Sequence, residues 1–130
     1  MKIANMIDEI KDHDHKAWIR RSLYRSLSDC KKRAKRKKIT CTLTHDDLDH
    51  LMFINFDRCC VTGMKFRRRE KEHHLRNPYA PSIDRIDNSI GYNTGNVRIV
   101  ASCVNNAMNE WGEDIIKEIA TSYKNWNTHP

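Results

Sequence analysis

Gly63 is the first glycine of this chain and Pro78 the first proline, so no residue before them obliges the backbone to break a helix. The first half is therefore expected to be mostly helical. Residues 2–11 place Ile3, Met6, Ile7 and Ile10 at helical spacing. Residues 16–36 repeat the pattern more strongly, with Ile19, Leu23, Leu27, Cys30 and Ala34 in one stripe. Between them His13 and His15 alternate with Asp12 and Asp14. That tetrapeptide reads as an exposed polar turn, because its spacing is not that of a zinc site. A short β-prone stretch follows at 39–43. Thr44 then caps a further helix whose first turn carries Asp46 and Asp47, where the helix dipole favours anions. Leu48, Leu51, Met52 and Phe53 supply its buried side.

Beyond this point the punctuation changes. Residues 59–66 contain a turn at Thr62-Gly63 between short extended pieces, and 67–80 read as a charged, exposed loop closed by Pro78 and Pro81. Residues 82–86 alternate as a strand, 88–95 are a Gly- and Asn-rich loop, and 96–100 form a second strand. Residues 101–109 are suited to a helix that Gly112 ends. A last amphipathic helix, 113–126, lines up Ile115, Ile116, Ile119, Ala120, Tyr123 and Trp126, and Trp111 and Trp126 are assigned to the core.

Charge narrows the partners. Lys and Arg total 24 against 17 Asp and Glu, a formal net charge of +7, and eleven of the cations fall between residues 16 and 38. Such an excess suits a polyanion, either nucleic acid or an acidic membrane surface. No apolar run is long enough to span a bilayer, and the N-terminal acidic residues do not suit a signal peptide. A cytoplasmic, soluble protein is the expectation. Five cysteines, an odd number with no C-x-x-C pair, fit free thiols in a reducing compartment.

The chemistry is concentrated in 81–109, laid out as strand, polar loop, strand, helix. Asp84 sits late in the first strand, Asn96 opens the second, and Asn105 lies in the helix. A divalent cation such as Mg2+ or Mn2+ takes hard oxygen ligands and keeps several waters. A carboxylate and an amide carbonyl meet that need, and strand-to-helix packing can bring Asp84 and Asn105 together.

This segment resembles the HNH (His-Me finger, ββα-metal) endonucleases, above all small phage-encoded members. The resemblance rests on Ser82-Ile83-Asp84-Arg85-Ile86-Asp87, then Gly91-Tyr92-Asn93-Thr94-Gly95-Asn96-Val97, then Asn105. Upstream, Arg33–Lys38 with Leu43–Leu48, and Cys60-Val61-Thr62-Gly63-Met64, are similar to elements that precede the finger in that family. The likeness covers roughly residues 20 to 110, and four weak motifs in the right order make it specific. It implies an α+β fold, a small ββα-metal finger flanked by N-terminal and C-terminal helices. It also implies one domain over 1–130: a basic helical part at 1–56, the finger region at 57–110 and a C-terminal helix at 111–130. The activity implied is metal-dependent hydrolysis of phosphodiester bonds in double-stranded DNA, leaving a 3′-hydroxyl and a 5′-phosphate. Asp84 and Asn105 would hold one Mg2+ or Mn2+. Asn96 would tie down the loop and orient the catalytic residue.

One position departs from the family. The general-base His that follows the metal-binding Asp is Arg85 here, and a guanidinium stays protonated. Three readings stay open. The bound water ionises with distant help while Arg85 stabilises phosphorane charge, or His73 or His74 acts as base, or the finger is inactive and only binds. Arg85, Asn96 and His74 are thus the catalytic candidates. Arg25, Lys32, Arg33, Lys35 and Arg36 on the basic helix, with Arg67, Arg68 and Arg98, are the expected DNA contacts. Structural zinc on Cys59, Cys60, His73 and His74 is not expected, since the paired C-x-x-C ligands of related nucleases are missing. The alternatives are a DNA-binding protein with a degenerate finger and a phage protein-interaction factor that meets an acidic partner. Oligomeric state is not legible.

Overall fold

The computed structural model describes residues 3–55, 57–69 and 76–128, and side chains from residue 13 onward except that of Asn127. Its elements are α1 (Ile3–Lys37), α2 (His45–Asn55), β1 (Pro81–Arg85), β2 (Val97–Ala101), α3 (Ser102–Met108) and α4 (Asp114–Asn127). The chain is α+β.

α1 is one continuous helix of 35 residues. The polar turn expected at 12–15 does not form. Asp and His cost a helix only some tenths of a kcal/mol each, and without Gly or Pro this falls short of what stopping a long helix requires. His15 instead stacks on Trp18, three residues on, at 5.7 Å. The stripe of Ile19, Leu23, Leu27, Cys30 and Ala34 is buried and forms one wall of the core. α1 ends where Lys38 takes a left-handed φ of 57° and the amide of Ile39 bonds back to the Ala34 carbonyl at 3.0 Å.

α2 starts with a reciprocal cap. The Asp47 amide donates to Thr44 Oγ1 at 3.2 Å, and the Thr44 amide donates to Asp47 Oδ2 at 2.8 Å. Leu48 and Met52 are buried. Phe53, expected beside them, is 85% exposed. Five residues turn a helix by about 140° beyond a full turn, which puts Phe53 well off the Leu48 face. α2 is fixed to α1 by the Tyr24–His45 stack at 3.9 Å and by Tyr24 Oη donating to Asp49 at 2.9 Å.

β1 and β2 pair antiparallel, with Ile83 opposite Ile99 and Asp84 opposite Arg98. The outer edge of β1 is closed by α1: the Ile83 amide donates to Ser26 Oγ at 3.1 Å. The outer edge of β2 meets the turn at 60–63, where the Cys60 amide donates to the Ile99 carbonyl at 3.1 Å. The strand expected at 39–43 reduces to one bridge, Cys41 to Tyr92. Its partner is a loop residue, so the ladder cannot lengthen. Gly91 is needed there because a Cβ would collide with the Thr40 carbonyl and hydroxyl oxygens.

α3 follows β2 directly. Gly112, at φ 82°, then turns the chain aside, so only the start of α4 reaches the core, through Ile116. Ile119, Tyr123 and Trp126 stand in solvent, as does Trp111, so the core assignment of both tryptophans is corrected. Among the described residues, no helix is long and apolar enough to cross a membrane.

Urea unfolding checks this division. Leu27→Ala is expected to cost about 2–5 kcal/mol, the range for a buried Leu truncation. Trp126→Ala is expected to stay within about 0.5 kcal/mol. A large loss for Trp126→Ala would place α4 in the core after all.

Candidate metal and phosphate cleft

In β1, residues 82 and 84 share one face, and that face meets α3. Asp84 is buried there with Arg98 directly across the ladder, and Arg98 Nε donates to Asp84 Oδ2 at 2.9 Å. The guanidinium also reaches Glu113 at 3.6 Å and Met108 Sδ at 3.6 Å. Arg98 was expected to touch DNA; its cation is instead committed inside the molecule, where Asp84 would otherwise be a buried, unpaired charge. Burial pushes the Asp84 carboxyl above its ordinary range, while the hydrogen bond and charge of Arg98, then the charge of Arg85, pull it back.

Asn105 comes to the same place from α3. Its Nδ2 donates to Ser82 Oγ at 2.9 Å and to the Ile83 carbonyl at 3.3 Å. A carbonyl can only accept, so this contact fixes which end of the amide is nitrogen. The oxygen end takes part in neither contact, and Asn105 lines the cleft.

Asn96 is buried just before β2 and holds the loop between the strands. Its Oδ1 accepts from the Asp87 amide at 2.9 Å, and its Nδ2 reaches the carbonyls of Asp87, Ile90 and Gly91 at 3.0, 3.3 and 2.9 Å. The loop so held carries Arg85's supports: Arg85 Nη1 donates to the Asn88 and Ile90 carbonyls at 2.9 and 3.1 Å. Its guanidinium lies 5.1 Å from the centre of the Tyr92 ring.

These groups open on a cleft of about 550 Å³ whose polar lining includes Arg33, Lys37, Asp84, Arg85, Asn105 and Glu110. Arg33 arrives from α1 and donates to Tyr92 Oη at 3.2 Å. The cleft thus sets three cations beside two carboxylates and the Asn105 amide. Among the described residues no three His, Cys, Asp or Glu side chains gather into a metal cage. A site of one carboxylate and one amide is of another kind. Asp84 keeps one oxygen clear of the Arg98 bond, and the Asn105 carbonyl oxygen is outside both of that residue's hydrogen bonds, so the donor types of the pair fit a hard ion that retains most of its waters.

The remaining candidates are dispersed. Arg25, Lys32, Lys35 and Arg36 are exposed on α1. Arg67 stacks on Tyr79 at 3.8 Å, and Arg68 pairs with Asp14 at 3.5 Å. His73 and His74 lie outside the described residues. Lys37, Tyr92, Glu110 and the Ser82 link to Asn105 were not singled out from sequence. Lys37, Tyr92 and Ser82 each stood inside a motif that carried the resemblance, and Glu110 had no such signal.

In comparisons with known proteins, no family model matches this chain, no curated protein is significantly similar, and no solved structure matches it.

The ion pair makes a titration prediction. A carboxyl raised above its ordinary value of 3.8 binds protons more readily folded than unfolded, so it takes stability away as pH rises through that window. Arg98 limits the effect. Arg98→Leu is expected to move the Asp84 midpoint further up, read by 13C NMR of the carboxyl, and to steepen the loss. An unchanged midpoint would mean that Arg98 does not govern Asp84.

Proposed function

We propose that this chain is a metal-dependent DNA endonuclease or nickase of the HNH kind, hydrolysing phosphodiester bonds with one Mg2+ or Mn2+. The observation that carries the reading is the convergence of Asp84 and Asn105 with Arg33, Lys37 and Arg85 in one cleft, at the join of an antiparallel strand pair and the helix that follows it. When bound, the ion supplies Lewis-acid charge stabilisation at the phosphate and lowers the cost of ionising water. Asp84 and Asn105 hold it, with Arg98 and Ser82 fixing how each is presented. Arg85, gripped by two loop carbonyls, turns its remaining N–H groups to the phosphate and takes up charge as it develops. Arg33 and Lys37 position the strand. Arg85 cannot accept a proton, so the base in this reading is a solvent molecule or one of His73 and His74.

A second reading, a DNA-binding protein with an inactive finger, draws on a specific contact. Arg98 already neutralises Asp84, which would let the carboxylate serve the fold alone.

Cleavage of supercoiled plasmid separates the two. Wild type in Mg2+ or Mn2+ is expected to give nicked or linear product that EDTA abolishes and Asp84→Ala lacks. Arg85→Ala is expected to slow cleavage by about 10²–10³-fold with a smaller effect on binding. Retarded plasmid without product in either metal would select the binding reading, and wild-type cutting by Asp84→Ala would dismiss the site.

A further inference from the structure

A second cavity of about 270 Å³ is lined by Arg25, Arg76, Ser22, Ser26, Ser82 and Ser102, and its Ser82 is hydrogen-bonded to Asn105, which lines the cleft. Among the described residues its apolar side chains are Ala80 and Pro81. Two guanidinium groups and four hydroxyls make up the donor set of an acceptor-only anion. Asp29 also lines the cavity, leaving two cations against one carboxylate. Among the described residues, no carboxylate forms an ion pair with Arg25 or Arg76. The Ser82 oxygen accepts from Asn105, which leaves its O–H to donate. α1 runs past both cavities: Arg25 borders this one and Arg33 the cleft, eight residues and so about 12 Å apart along the axis. That spans a few nucleotides.

We propose that this cavity binds a phosphodiester group of the same DNA, a few nucleotides from the one in the cleft; the identity of the ligand rests on the nuclease reading above. The two sites are linked through Ser82. A phosphate oxygen that accepts a hydrogen bond from the Ser82 hydroxyl orients the Ser82 lone pairs towards Asn105 Nδ2, and so steadies the Asn105 amide at the cleft. Ser82 is a positioning residue in this scheme.

Fluorescence anisotropy on a labelled 20-base-pair duplex tests it, in EDTA and over a KCl series, with wild type and the double variant Arg25→Gln/Arg76→Gln. Both arginines are exposed, so the variant is expected to keep the wild-type melting temperature. Loss of one phosphate contact should lower the slope of log K against log[salt] by about 1 and weaken binding about tenfold at low salt. In a second arm, inorganic phosphate is titrated into 15N-labelled protein. Shifts at Ser82 and Arg25 that are lost in the double variant mark the anion pocket itself. Duplex binding by wild type with the same affinity and slope in the variant overturns the proposal and leaves the nuclease reading standing. No duplex binding by wild type, with phosphate shifts at Ser82 retained, overturns the nuclease reading and confines the pocket to small anions. Absence of both overturns both.

Discussion

A two-stranded antiparallel sheet is too small to hold itself together in water. Here β1 and β2 persist because α1 supplies what they lack. Its stripe from Ile19 to Ala34 gives the sheet an apolar wall, and Ser26 closes the open edge of β1 by accepting the Ile83 amide. On the other edge, the turn at Cys60 bonds to β2. Removing the α1 stripe would therefore do more than open a cavity. It would free the strands that hold Asp84, and with them the loop that holds Arg85.

Against that apolar support, the polar groups of the cleft are costly and are compensated one by one. Asp84 and Asn96 are the buried polar or charged side chains among the described residues. Arg98 answers the first, and four backbone groups answer the second. Well-packed apolar residues could fill such positions with equal or better stability. A carboxylate kept in the lining of a cationic cleft leaves that charge within reach of a ligand, and Arg98 opposes the upward push of burial on its carboxyl.

Much of the architecture was legible beforehand because periodicity reports burial. The α1 stripe, both strands of the segment 81–109 and the break at Gly112 all follow from spacing and from Gly placement. Asn96 as a loop-holding residue was legible only through the resemblance. What could not be read depends on distant partners. Asp12 to His15 looked like a turn because local composition says nothing of the helical context on both sides. The apolar side of α4 looked like core because amphipathicity shows that a face exists, not that anything covers it. Arg98 looked like a DNA contact because one strand's sequence does not reveal the residue opposite, and here the register sets it against Asp84. Arg33, chosen as one cation among many on α1, reaches the cleft through Tyr92, 59 residues away.

The central claim is that Asp84 and Asn105 together form the seat of a divalent ion. Substoichiometric Mn2+ added to 15N-labelled protein tests it directly, since the ion broadens signals of nearby nuclei. Broadening centred on the Asn105 side-chain amide and the amides around Asp84, lost in Asp84→Ala with the fold intact, is the expected result. Broadening centred elsewhere, or persisting unchanged in Asp84→Ala, would contradict the account and leave Asp84 as no more than the buried partner of Arg98.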